Sequence, residues 1–372
     1  MTLQMRDDHE MQRTADLATE GEDDLLLRVE KMCHLRELRA GRQARIERRR
    51  VSCRFLGEPD EVVLPLLFVA AEDGFVEVRY LVAALSRAPR TADLRALAAL
   101  RHLQCYAGAW LVYDGPTEDL TLAWDCLEEA QRARLKLTTL AEYERILDFT
   151  AYLDQQTRNL SPPALLVPKL VHARGFHAQE VPAAHSALDT LVSWATDARA
   201  PRLTLMLGSG GAGKSLVLHE LARTLAAKTA VVPLLVSLHQ RSKAVSLNML
   251  LAGHLAEAGV GVIDIPALTY LREVGRVVLL FDDFDKLALR VGCDAAAHHL
   301  ATVMEAATAG NAQVVLASRP DPFLGDAGPT ALADALESLG CLHVVRLLPS
   351  WSEVVPREPS CGAPDAKQEQ GR

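Results

Sequence analysis

One stretch, RLTLMLGSGGAGKSLVLHELARTLAAK at 202–228, constrains the fold more than any other. Its first six residues are an apolar run that reads as a strand. From Lys214 onward Leu218, Leu221, Ala222 and Leu225 fall at helical spacing. Between them stands GSGGAGKS, half of it glycine. A strand that passes through a tight turn straight into a helix lays that helix on one face of a sheet. The next strand then returns parallel to the first by a right-handed crossover. The following sequence keeps this alternation: AVVPLLVSL, a helix over 245–258, RVVLLFD, a helix over 294–309, AQVVLAS, and LHVVRLL as a last strand. The predicted fold class is α/β, a C-terminal parallel doubly wound sheet with a smaller N-terminal α/β domain.

The loop at 208–215 fits G-x-x-x-x-G-K-[ST] and sits between a strand and a helix, the context that gives the pattern meaning. Backbone N–H groups of Gly208, Ser209, Gly210, Gly211, Ala212 and Gly213 can wrap a phosphate, and the helix start adds partial positive charge. Lys214 reaches β- and γ-phosphates, and the Ser215 hydroxyl can ligate Mg²⁺. A second strand ends in Asp282, read as a magnesium residue. Asp283 and Asp285 are the candidates to orient or deprotonate an attacking water. Downstream, QVVLASRP ends in Ser318 and Arg319, where a polar or cationic group can contact a phosphate.

Taken together, LGSGGAGKSLVLHELARTL, GRVVLLFDDFDKLALR and VVLASRP resemble the NACHT branch of the STAND signalling ATPases over about 165–349. The resemblance implies a P-loop NTPase domain that binds ATP or ADP with Mg²⁺, acts as a nucleotide-gated switch, and serves in bacterial antiphage defence. It also implies a protein partner, or a homo-oligomer formed on ATP binding. Two departures stand out. Asp283 replaces a family glycine, and Lys286 replaces a family glutamate, which puts a cation where a base would sit. The expected activity is therefore ATP binding with slow hydrolysis or none. A non-catalytic ATP-binding assembly module, a truncated fragment of a larger defence protein and a nuclease effector are the alternatives.

The first half carries the helical piece DLLLRVEKMCHLREL and then GRQARIERRRV, an arginine run read as a solvated face, with contact to phosphate backbones as the alternative. Strands EVVLPLLFVA and FVEVRYLV follow, then a helix over TADLRALAALRHL with Thr91 as N-cap, the strand AWLVYD, and a helix over LAEYERILDFTAYL. This order resembles the strand–strand–helix–strand core of restriction endonucleases. Asp73 and Glu77-Val78-Arg79 stand where such nucleases carry an acidic residue and Glu-x-Lys, with arginine replacing lysine. The expected organisation is a disordered lead-in at 1–21, an α/β effector or interaction domain at 22–150, a linker at 151–185 containing SPPALLVPKL, the NTPase domain at 186–349, and a disordered tail at 350–372.

Composition narrows the setting. The seven cysteines are scattered without zinc or CxxC spacing, which reads as reduced thiols in a cytoplasmic protein. No apolar run approaches the ~20 residues that span a bilayer. The net charge of −8 argues against general nucleic-acid binding by the surface, so the expected partners are a nucleotide and protein, not nucleic acid or membrane.

Overall fold

A computed structural model describes residues 19–348 apart from 56–60, 75, 104–105, 116–123, 126, 134, 159–168, 174–175, 177–180, 183–185, 198, 241–245, 262, 326–327 and 341. The chain divides into two units, 1–148 and 149–372.

The first unit begins with helix α1 (Thr19–Arg39), followed by strands β1 (Gln43–Arg54), β2 (Glu61–Asp73) and β3 (Val76–Leu85). Helix α2 (Thr91–Leu103), β4 (Gly108–Tyr113), a short α3 (Glu129–Arg132), β5 (Leu135–Thr139) and a short α4 (Leu140–Tyr143) complete it. The strands form one sheet in the order β1-β2-β3-β4-β5. β1, β2 and β3 are an antiparallel meander, whereas β4 and β5 run parallel to β3, with α2 as the β3–β4 crossover. Alternate residues build two cores. Val51, Cys53, Leu64, Leu66, Leu81 and Ala83 pack with Leu94 and Leu97 of α2. The opposite face meets α1, whose Val29, Met32 and Cys33 are fully buried.

Two expectations for this region change. Thr19–Gly21, drawn as part of the lead-in at 1–21, belong to α1, and residues 1–18 lie outside the described residues. The helix expected over LAEYERILDFTAYL is two helices. A capping box at Thr139 starts α4, and the chain turns out of it at Glu144, whose buried carboxylate takes Arg28 Nη2 at 2.6 Å. The second piece, α5 (Thr150–Arg158), belongs to the second unit.

In that unit α5 is followed by β6 (Lys169–Ala173), β7 (Val181–Pro182), α6 (Ala187–Thr196), β8 (Leu203–Leu207), α7 (Lys214–Lys228) and β9 (Val232–Ser237). Then come α8 (Leu247–Glu257), α9 (Ile265–Glu273), β10 (Val277–Asp282), α10 (Phe284–Val291), α11 (Cys293–Thr308), β11 (Gln313–Ser318), the small pair β12 (Leu324–Gly325) and β13 (Gly328–Pro329), α12 (Ala331–Glu337) and β14 (Leu342–Leu348). The large sheet runs β7-β6-β14-β8-β11-β10-β9. β14, β8, β11, β10 and β9 are mutually parallel, and β6 and β7 add antiparallel strands at one edge. These two strands and α5 come from 151–185, so the stretch expected as a linker supplies part of the unit. The SPPALLV segment itself lies outside the described residues. Every residue of β8, β10 and β11 is buried, as strands covered on both faces require. Met206, Leu280, Val315 and Val345 pack with α6 and α7, while α11 lies against β11. The tail drawn at 350–372 lies outside the described residues.

Candidate functional site

The parallel strands end together, and that brings the predicted residues of the second unit to one rim. β8 stops at Leu207, opposite Ser318 at the end of β11, and β10 stops at Asp282, opposite Ser237 at the end of β9. The loop from Gly208 to Gly213 leaves β8, and Gly208 N–H donates to Ser318 O at 3.2 Å. Gly211 (φ 79°) and Gly213 (φ 90°) occupy the left-handed region, where glycine carries no steric cost. A Cβ on Gly208 would come within 3.1 Å of the Ala212 side chain. Gly213 caps α7 without a side-chain cap hydrogen bond, so the N-cap residue leaves the first N–H groups of the helix without the partner that Ser, Thr, Asp or Asn would supply there. Ser209 is exposed and Ala212 is buried beneath the turn.

Lys214 Nζ donates to two carbonyls of its own loop, Gly208 O at 2.7 Å and Ser209 O at 3.1 Å. Burial lowers its pKa and the Arg319 charge adds to that, against the raising effect of Asp285, Asp282 and Asp283. Ser215 is exposed, and its carbonyl accepts from His219 Nδ1 at 2.7 Å.

The three aspartates have different partners. Asp282 is buried, and its Oδ1 accepts from Asp283 N at 2.8 Å. Asp283 has φ 63°, alone among the described non-glycine residues in being left-handed. Lys286 Nζ sits 2.6 Å from its Oδ1, while Ser237 Oγ donates to Oδ2 at 3.2 Å and His239 Nδ1 lies 3.2 Å from the same oxygen. The Asp283 hydrogen bond raises the Lys286 pKa. Ser237, His239 and Asp283 do not make a nucleophile triad. Serine and aspartate share one imidazole nitrogen, so the ring cannot relay a proton between them. Asp285 is buried and bound to Arg319 Nε at 3.1 Å. The Arg319 guanidinium lies 3.6 Å from where a Cβ on Gly210 would be. Each carboxylate expected to activate water is thus held by a cation. Ser318 Oγ is buried at this rim and has no hydrogen-bond partner among the described residues.

The first-unit trio does not converge in this way. Asp73 is exposed and pairs with Arg42 at 3.5 Å, whereas Glu77 pairs with Arg79 at 2.5 Å and with Arg45 at 3.6 Å. Among the described residues no group of three or more His, Cys, Asp or Glu side chains is placed to hold a metal ion. That unit also contains a groove of about 390 Å³ that includes Arg45, Arg49, Phe68, Arg79 and Tyr106. Sequence reasoning missed it, because it joins three strands and the segment after α2. The one available signal was the alternation of charge through Arg45, Glu47 and Arg49.

Residues 22–149 match the family model NA-iREase3, described as NACHT-associated inactive Restriction Endonuclease 2. No curated protein matches the chain. The family match agrees with the restriction-endonuclease-type core expected for the first half, and its word "inactive" agrees with arginine at position 79. It overturns the assignment drawn from the second half. The matched family is nuclease-like and inactive, not a P-loop NTPase, so the chain is not assigned to the NACHT-type STAND ATPases. The ATP-gated switch and the signalling role inferred from them fall with that assignment, whereas the description NACHT-associated is compatible with the alternative of a fragment of a larger defence protein. The physical reason is that three short motifs at three strand ends describe how loops leave one rim of a parallel sheet. They specify local backbone geometry, not the activity of a whole chain.

Proposed function

We propose that residues 22–149 form a nuclease-fold module that binds without cutting. The Glu77–Arg79 pair carries this reading. Metal-assisted phosphodiester hydrolysis needs carboxylates free to hold a cation and a group able to manage a proton. Here Glu77 is occupied by two guanidiniums, and Asp73 points to Arg42. Arginine does not give up its proton in the working pH range of proteins. The test incubates the purified chain with plasmid and linear DNA and Mg²⁺ or Mn²⁺, beside Glu77→Ala. The expected result is no cleavage in either. Metal-dependent cutting that disappears in Glu77→Ala would overturn the reading.

For the second unit the proposal concerns only a ligand: the phosphates of ATP or ADP at Gly208–Ser215, with Mg²⁺ at Ser215 and Asp282 and with Arg319 beside Gly210. The uncapped start of α7 and the orphaned Ser318 hydroxyl support it. Lys214 would exchange its two loop carbonyls for phosphate oxygens. Calorimetric titration with Mg-ATP and Mg-ADP tests this, and heats that are absent, or unchanged in Lys214→Ala, would refute it.

No described helix is long and apolar enough to cross a membrane. A cytoplasmic setting, and a protein partner or homo-oligomer formed with the nucleotide bound, belong to the same proposal. Light scattering with and without Mg-ATP reads the association.

A further inference from the structure

The arginine run of the first unit is sorted by strand alternation. Arg48 and Arg50 turn to α1, where they pair with Glu30 and with Asp23 (3.0 Å), and Arg42 pairs with Glu37 at 2.6 Å. Arg45 and Arg49 lie on the other face of β1, in line with the buried Val51 and Cys53. There they are exposed, and they line the groove with Arg79 of β3. The register places Arg79 opposite Ala70 and sets Phe68 two residues away on the same face of β2. The Arg49 guanidinium lies 5.2 Å from the centre of the Phe68 ring, and Tyr106 meets that ring edge-on at 6.0 Å.

The groove therefore combines two kinds of contact. Planar layers of aromatic rings and guanidinium stack with flat rings. Three arginines against two glutamates, Glu47 and Glu77, leave an excess of positive charge. Glu47 holds Arg49 at 2.7 Å, and Glu77 is shared by Arg79 and Arg45, which are 63% and 81% exposed. An acidic peptide would use the cations and leave the ring platform idle. A duplex buries its base faces in its own stack, whereas an unpaired base offers its face and carries phosphates on either side. The net charge of −8 disfavours general polyanion binding by the rest of the surface.

We infer that the groove binds a single-stranded nucleic-acid segment, with a base against Tyr106 and the Arg49–Phe68 layer and flanking phosphates on Arg45 and Arg79. This rests on the non-cutting reading of the same unit.

The test is fluorescence anisotropy of a short labelled single strand, as DNA and as RNA, titrated with the full chain. Lys214→Ala is run in parallel to remove any contribution of the phosphate loop. Binding is expected to saturate, to survive Lys214→Ala, and to weaken about tenfold in Tyr106→Leu. Arg45→Glu with Arg79→Glu weakens it at least as much and flattens its salt dependence. Both arginines are exposed, so this pair keeps the test decisive if Tyr106→Leu lowers the melting temperature. Tight competition by a free nucleoside monophosphate supports the base-and-phosphate chemistry and assigns the source to a free nucleotide. Equal binding of duplex with Tyr106→Leu silent overturns the inference, as does binding of an acidic peptide but not of the strand, or no saturable binding. Strand cleavage with Mg²⁺ in the same samples would sink the non-cutting reading and leave binding standing. Failure of binding without cleavage sinks only the inference.

Discussion

Asp283 provides the most direct check on the geometry of the β10 rim. Its φ of 63° places a side-chain-bearing residue in the left-handed region. That conformation costs an L-residue about 1–2 kcal/mol, less for aspartate than for alanine. Asp283→Ala and Asp283→Gly remove the same contacts with Lys286, Ser237 and His239. They differ only in the backbone. Glycine avoids the left-handed cost but gains about 0.4–1 kcal/mol of unfolded-state freedom. The difference leaves Asp283→Gly more stable than Asp283→Ala by about 1 kcal/mol, roughly 2–4 °C in melting temperature for a unit of this size. Urea and thermal melts followed by circular dichroism measure it. An alanine variant as stable as the glycine variant would refute the left-handed assignment. Lys286 is more than half exposed, so its pair with Asp283 contributes at most about 0.5 kcal/mol. Lys286→Ala should cost that much in the native background and nothing in Asp283→Gly, a double-mutant cycle that isolates the pair.

Other outcomes follow from buried groups. Burial alone would raise the carboxyl of Asp93 at the start of α2, but Arg87, the Arg90 N–H and their charges outweigh it and hold the pKa below its ordinary value. The folded state then binds the proton less readily than the unfolded one, so this stabilisation is present above the unfolded pKa and lost as pH falls through the folded one. Asp93→Asn should narrow its urea-midpoint gap to the native chain once pH drops below about 4. Burial pushes Cys33 up to about 12 and Cys53 up to about 11, so both should resist alkylation at neutral pH until urea unfolds the first unit. Leu205→Ala, in the centre of fully buried β8, should cost about 2–5 kcal/mol in urea melts, and a loss under 1 would argue against that burial.

What was legible in the sequence followed from period and from turn chemistry. The loop at 208–215 could be placed because strand, glycine turn and helix are contiguous, so local rules decide it. The meeting of Asp282, Arg319 and the loop required only that parallel strands end on one side. The split of LAEYERILDFTAYL was not legible, because its apolar spacing continues through the break. It depends on Glu144 finding Arg28, a partner more than a hundred residues away. Nor was the pairing of β6 with β14, which turns part of an apparent linker into sheet edge.

The same limit explains why the two halves reversed in informativeness. The second half offered motifs and therefore a name, yet its acidic side chains are tied to cations chosen by tertiary packing: Asp285 by Arg319 and Asp283 by Lys286. The first half offered a departed version of a nuclease motif, Asp73 with Glu77-Val78-Arg79, and an arginine run, which as a run says little. Once β1 is a strand, period-two alternation divides that run. Arg48 and Arg50 neutralise α1 and contribute to folding, and Arg45 and Arg49 remain on the open face beside Phe68. A helix over the same residues would have spread these charges around its axis and left no groove. The binding surface is therefore a consequence of β1 being a strand, and a substitution that shifted its register by one residue would exchange the two sets. It would unpair Glu30 and Asp23 while burying Arg45 and Arg49 against α1, so binding and stability at this edge should fail together under register change and separately under point substitution.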